Sequence, residues 1–156
     1  MKKNKGFSLV ELIIVIAIMA ILAAAIAPAL IRYIDKSRKA DDIAAAETVN
    51  TAVQTSLSNE DAYDEIMAVM NGSVLLSANA DAAFPTTTYP TFATEVNSNL
   101  GGKTPKLKYK KTLETANFLP AGWAVGASNG KPIVWITDGG TTNKVEVQPS
   151  IHKDYK

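Results

Sequence analysis

From Phe7 to Ile31 the chain is almost unbrokenly apolar, "FSLVELIIVIAIMAILAAAIAPALI", with Ser8 and Glu11 as its strongly polar residues. At ~1.5 Å per residue, such a run is long enough as a helix to cross a hydrocarbon core of ~30 Å. Lys2, Lys3 and Lys5 precede it, and Arg32, Lys36, Arg38 and Lys39 follow. A secretory signal has an apolar core of about 7–15 residues and then a small-residue cleavage site, whereas this run is longer and continues as an amphipathic helix. A plain membrane anchor accounts for the length but not for Glu11. An acid in a membrane segment is costly and marks a functional partner, here a cation at matching depth.

The helical pattern continues past the apolar run. Ile43, Ala46, Val49, Val53 and Leu57 recur at spacings of three and four and share one helix face. One helix is therefore expected from about Ser8 to Leu57, ~75 Å long, with a protruding first half and a second half packed on a head. Ser58-Asn59 ends it and caps a short helix from Glu60 to Met70, closed by Asn71-Gly72. The acids Glu60, Asp61, Asp64 and Glu65 lack calcium-loop spacing and read as a solvated face. "FPTTTYPTF", residues 84–92, reads as an extended surface loop whose threonines could accept O-glycans. Phe92, Val96 and Leu100 then mark one more short helix.

The C-terminal third changes to a period of two. Residues 122–128 and 131–137 flank Asn129-Gly130, the dipeptide best suited to a type I′ hairpin turn. That turn sets Val125 opposite Val134 and Trp123 opposite Ile136, on one face expected to cover the long helix. Trp135 falls on the other face and needs a covering loop or a neighbouring subunit. Asp138-Gly139-Gly140 makes a second turn, and residues 144–148 form a third strand with Val145 and Val147 inward. "PKLKYKK", residues 105–111, also alternates, with Lys106, Lys108 and Lys110 on one face and Leu107 and Tyr109 on the other. The lysines could form a solvated face, bind a polyanion such as DNA, or meet an acidic surface of an adjacent subunit.

The charge of the chain is segregated along its length. Residues 1–39 and 103–156 each carry five more bases than acids, while residues 40–102 hold nine acids and no Lys or Arg. Such segregation concerns partners more than fold. The absence of cysteine excludes disulfides and thiolate sites, and the one histidine, His152, stands near the end. No catalytic, phosphate-loop or metal-ligand spacing is present, so an enzyme is not expected and no cofactor is implied.

The residues Lys5-Gly6-Phe7-Ser8-Leu9-Val10-Glu11-Leu12 resemble the class III leader of type IV pilins and pseudopilins. The resemblance covers about residues 1–35: a basic leader, Gly before Phe, Glu four residues on, an apolar helix, and Pro28 within it. It implies a prepilin peptidase cutting between Gly6 and Phe7, and N-methylation of the new Phe7 amine. It also supplies the missing cation, since the Phe7 amine of one subunit would lie near Glu11 of an adjacent one and set the register. Pro28 lacks an N–H and should kink the helix or make it locally meltable. Family members often have an upstream glycine that helps the helix unwind, where this chain has the helix formers of residues 20–27.

The expected fold is α+β, a long N-terminal helix with a small antiparallel β-sheet head. Its parts are a leader (1–6), a transmembrane and filament-core helix (7–31), the head-packed half of that helix (32–58), and a head (59–156). The head divides into a helix and loop region (59–104) and a sheet (about 105–149). The function implied by the resemblance is a structural subunit, the major pilin of a type IV pilus. The alternative is a pseudopilin of a type II secretion or competence DNA-uptake system, and the alternative of another class is a membrane-anchored binding module. Implied partners are further copies in a helical filament, the prepilin peptidase, and an assembly ATPase with its inner-membrane platform. The chain would wait in the cytoplasmic membrane as a single-pass prepilin before joining an extracellular pilus.

Overall fold

The computed structural model describes residues 7–156; the leader, with Lys2, Lys3, Lys5 and Gly6, lies outside the described residues. The chain divides into two compact units, one ending at Ser37 and the other running from Arg38 to Lys156. Helix α1 (Leu9–Ser56) is unbroken and includes Pro28. In the first unit its apolar side chains are solvent-exposed, among them Leu12, Ile16, Leu22 and Leu30.

In the second unit α1 is the core helix. Ala46, Val49 and Val53 are fully buried, as their spacing requires, and Ile43 and Leu57 pack at the margin. Two polar residues are buried beside them. Ser56 donates its hydroxyl to Ala52 O at 2.8 Å and accepts from Asn99 Nδ2 at 3.0 Å. Asp42, also fully buried, accepts from the Lys108 and Tyr109 amides.

Helix α2 (Glu60–Ile66) is capped by Asn59, whose Oδ1 accepts from Ala62 N at 3.2 Å. It is shorter than the expected helix to Met70, because Met67–Val69 tighten into a 3₁₀ turn. Asn71-Gly72 then opens strand β1 (Asn71–Asn79), where a helix stop followed by loop was expected. Gly72, at φ 85°, supplies the backbone reversal, so the same dipeptide serves as helix exit and strand entrance. Helix α3 (Pro90–Asn99) begins with proline in its first turn and buries Phe92, Ala93 and Val96.

The sheet is antiparallel with four strands in the order β1, β2 (Gly122–Ser128), β3 (Lys131–Thr137) and β4 (Lys144–Gln148). The molecule is therefore α+β. Asn129 and Gly130 both have positive φ, 51° and 74°, as a type I′ turn demands. Val125 pairs with Val134 and Trp123 with Ile136. The inner face adds buried Leu76, Val145 and Val147, and Trp123 Nε1 donates to Pro105 O at 2.8 Å.

The outer face has its own cover. Trp135 is only 6% exposed. Its ring lies over Gly126, where an added Cβ would come within 3.0 Å of Cζ3, and Lys144 Nζ sits 5.6 Å from its centroid. The β3–β4 loop folds back beside it, with Gly139 packed against Gly122 and Gly140 O accepting from the Ser77 hydroxyl. The chain thus covers Trp135 without a neighbouring subunit.

Residues 105–111 alternate in burial as expected, Leu107 and Tyr109 inward and Lys106, Lys108 and Lys110 outward. They are not a sheet strand, however. Two of their amides bond to the Asp42 carboxylate of α1 instead of to a neighbouring strand, so the sheet lies outside this segment and begins earlier, at Asn71.

Candidate functional site

Ser8-Leu9-Val10-Glu11 has the form of a capping box. Glu11 Oε2 accepts from Ser8 N at 2.9 Å, and Ser8 O accepts the first α1 bond, from Leu12 N at 3.2 Å. The carboxylate is thus folded back onto the N-terminal rim of the helix, where the helix dipole favours a negative charge. Phe7, 80% exposed, stands next to it. The motif Ser-x-x-Glu was present in the sequence, yet reading Glu11 only as half of an ion pair passes over its bond within its own chain.

The first unit of α1 is long and apolar enough to cross a membrane, and none of its apolar window is buried within the chain. So much exposed aliphatic surface is satisfied only by lipid or by other apolar helices. Pro28 removes one intrahelical donor from the middle of this surface.

The second group of expected residues is anchored through the backbone. Lys108 N donates to Asp42 Oδ1 at 2.6 Å and Tyr109 N to Oδ2 at 3.1 Å. Burial pushes the Asp42 carboxyl above its ordinary 3.8, against the opposing pull of these two amides and of Lys110. Around it, the Tyr109 ring meets Tyr155 edge-on at 6.3 Å and lies under Lys39 Nζ at 4.9 Å. Burial also raises the Tyr155 phenol, whose oxygen has no hydrogen-bond partner among the described residues. Asp154 clamps the following turn by accepting from Thr115 N and Ala116 N. Although burial opposes it, these bonds hold the Asp154 carboxyl below its ordinary value. The result is a strap with a fixed backbone that presents Lys106, Lys108 and Lys110 outward. Lys106 Nζ reaches Asp81 Oδ2 at 3.4 Å within the chain.

The acidic group 60–65 is not uniform. Glu65 accepts from Thr91 N at 3.2 Å and Phe92 N at 2.7 Å and so caps α3, while Glu60, Asp61 and Asp64 are exposed. Asp42, Glu65 and Asp154 are structural carboxylates whose roles spacing alone did not reveal. Each satisfies amides remote in sequence, which a local pattern cannot reveal.

An apolar helix capped by its own acid and continuing into an α+β head defines a class: helix-anchored subunits built for association. The comparisons with known proteins agree. The family model described as the prokaryotic N-terminal methylation motif matches residues 1–27. A fimbrial protein of Moraxella nonliquefaciens is 33% identical over 136 residues, 75% of this chain and 88% of that one. The type IV major fimbrial protein FimA of Dichelobacter nodosus is 30% identical over 138 residues, 86% of this chain and 82% of that one. No solved structure matches the chain. The chain belongs to the type IV fimbrial protein family, the type IV pilins, and is a pilin subunit.

Proposed function

We propose that this chain is the major, repeating subunit of a type IV pilus. A prepilin peptidase would cut between Gly6 and Phe7, the Phe7 amine would be methylated, and the processed chain would remain in the membrane through residues 7–31 until assembly. Extraction by an ATPase-driven platform would then exchange lipid around α1 for the α1 helices of other copies. In the filament, the Phe7 amine of one copy would meet Glu11 of the next, and this head-to-tail pairing with a non-closing rotation gives a helix of subunits. Pro28 would provide the place where α1 bends or loosens to pack.

The observation that carries this reading is the exposed apolar surface of α1 with a single carboxylate held at its N-terminal rim. The likeness to a protein named as a major fimbrial subunit supports the choice of major over minor pilin. Shearing cells and sequencing the N-terminal peptide by mass spectrometry tests it. N-methyl-Phe7 as the abundant terminus of sheared filaments is the expected result. The same terminus confined to membranes would instead make the chain a pseudopilin, and an intact residue 1–6 leader in both fractions would overturn the reading.

A further inference from the structure

The lysine strap and the acids of α2 are anchored at different points along α1. The lysine strap is tied to α1 at Asp42 through the Lys108 and Tyr109 amides. The exposed acids Glu60, Asp61 and Asp64 follow immediately on the other end of that helix, at Ser56. From Asp42 to Ser56 the helix rises ~21 Å. The strap and the acids of α2 therefore lie at different levels along the head-packed part of α1, the strap at Asp42 and the acids just past Ser56.

We propose that the strap is a docking surface for a second copy of this chain, and that Lys108 and Lys110 of one head face Asp61 and Asp64 of another. This rests on the filament reading above and names the head contact within it. Three observations select a second copy over other anionic occupants. The strap is fixed by buried bonds, so its lysines are displayed from an ordered backbone and not from a flexible tail. Complementary charge is present on the same chain, in a stretch that contains no Lys or Arg. The axial offset between the two patches suits subunits that are displaced along a common axis, where the lower end of one head meets the upper end of another. Such a contact is heterologous, as a helical filament requires. Lys106 and Glu65 are left out, since the first already reaches Asp81 and the second caps α3.

The test uses the full chain in its own cells, with sheared-filament yield and membrane-held subunit measured together. The double variant Lys108→Glu/Lys110→Glu should lower filament yield on the order of tenfold while the membrane pool persists. Asp61→Lys/Asp64→Lys should do the same, and combining all four changes should restore yield. Wild-type filaments should also fall apart more readily as salt rises toward 1 M, where screening acts within ~3 Å. If the strap variant fails to accumulate, the Asp61/Asp64 variant, on another element, carries the test. Wild-type yield from both reversed variants, or failure of the combination to restore it while all the proteins accumulate, overturns the inference. So does unchanged assembly with lost binding of filaments to heparin, which would make the strap a polyanion site. Wild-type cells without any filament would overturn the filament reading itself, and this inference with it.

Discussion

Glu11 has two claims on its carboxylate. Within one chain it accepts the Ser8 amide at 2.9 Å and caps α1; in the proposed filament it takes the Phe7 amine of another copy. Replacement can separate the two roles, because Gln preserves the capping-box acceptor and removes the charge, whereas Ala removes both. Glu11→Gln is expected to leave processing and membrane insertion intact and to abolish filaments, as Glu11→Ala would. Sheared-filament yield and the processed terminus measure both outcomes, and normal filaments from Glu11→Gln would assign Glu11 to the cap alone. Asp42 is the second instructive residue. Asp42→Ala leaves two buried amides without acceptors, so the head should lose about 2–4 kcal/mol by thermal or chemical denaturation. The ionised carboxylate also carries a sign that pH reveals. Its value in the folded protein lies above the ordinary 3.8, so the fold binds that proton more tightly than the unfolded chain does. Its contribution should therefore be most favourable below about 3.8 and decline as pH rises through the raised value. Asp154 runs oppositely: its lowered value contributes stability above 3.8 that is lost as pH falls through the folded value. Comparing Asp42→Asn and Asp154→Asn melting curves across acid pH checks that the two slopes differ in sign.

At the scale of elements, β2 shows why the sheet packs on both faces. Its inward side chains Trp123 and Val125 join the core, and its outward positions are Gly122, Ala124 and Gly126. The small outer residues make room for the Trp135 ring and the β3–β4 loop. Gly126→Val would drive a side chain into Ser73 O and the Trp135 ring. It should lower the melting temperature and shift Trp fluorescence to the red as Trp135 is displaced. The hairpin β2–β3 was legible because the Asn129-Gly130 turn, both of whose residues take positive φ, is a local signal that fixes the register of the strands beside it. The stripe Ala46, Val49 and Val53 was legible for the same reason, since a 3.6-residue period needs only one buried face. Strand β1 was not. Its burial does not alternate cleanly, its pairing with β2 is shifted between Asn71 and Val74 and between Val74 and Leu76, and its partner lies some fifty positions away. The strap 105–111 deceived in the other direction. Alternation was real, but it records a chain lying on a core and bonded to a helix carboxylate, which has the same in-out pattern as a strand.

For the whole molecule, the N-terminal segment and the head speak with different clarity. The family was readable from the resemblance carried by residues 5–12 and the apolar run that follows them. The internal ties of the head were not, because Asp42, Glu65 and Asp154 act through amides brought near them only by folding. In the proposed filament both levels meet: apolar helices share the core, the Phe7 amine and Glu11 set register, and the heads meet through strap and acids. Electron cryo-microscopy of sheared wild-type filaments measures this directly. The expected map shows α1 helices in the core, the Phe7 nitrogen of one copy within ~4 Å of Glu11 of an adjacent copy, and residues 105–111 facing α2 of another head. A filament in which Glu11 stays bonded to its own Ser8 and no Phe7 amine approaches it would rule out the pairing of Phe7 with Glu11.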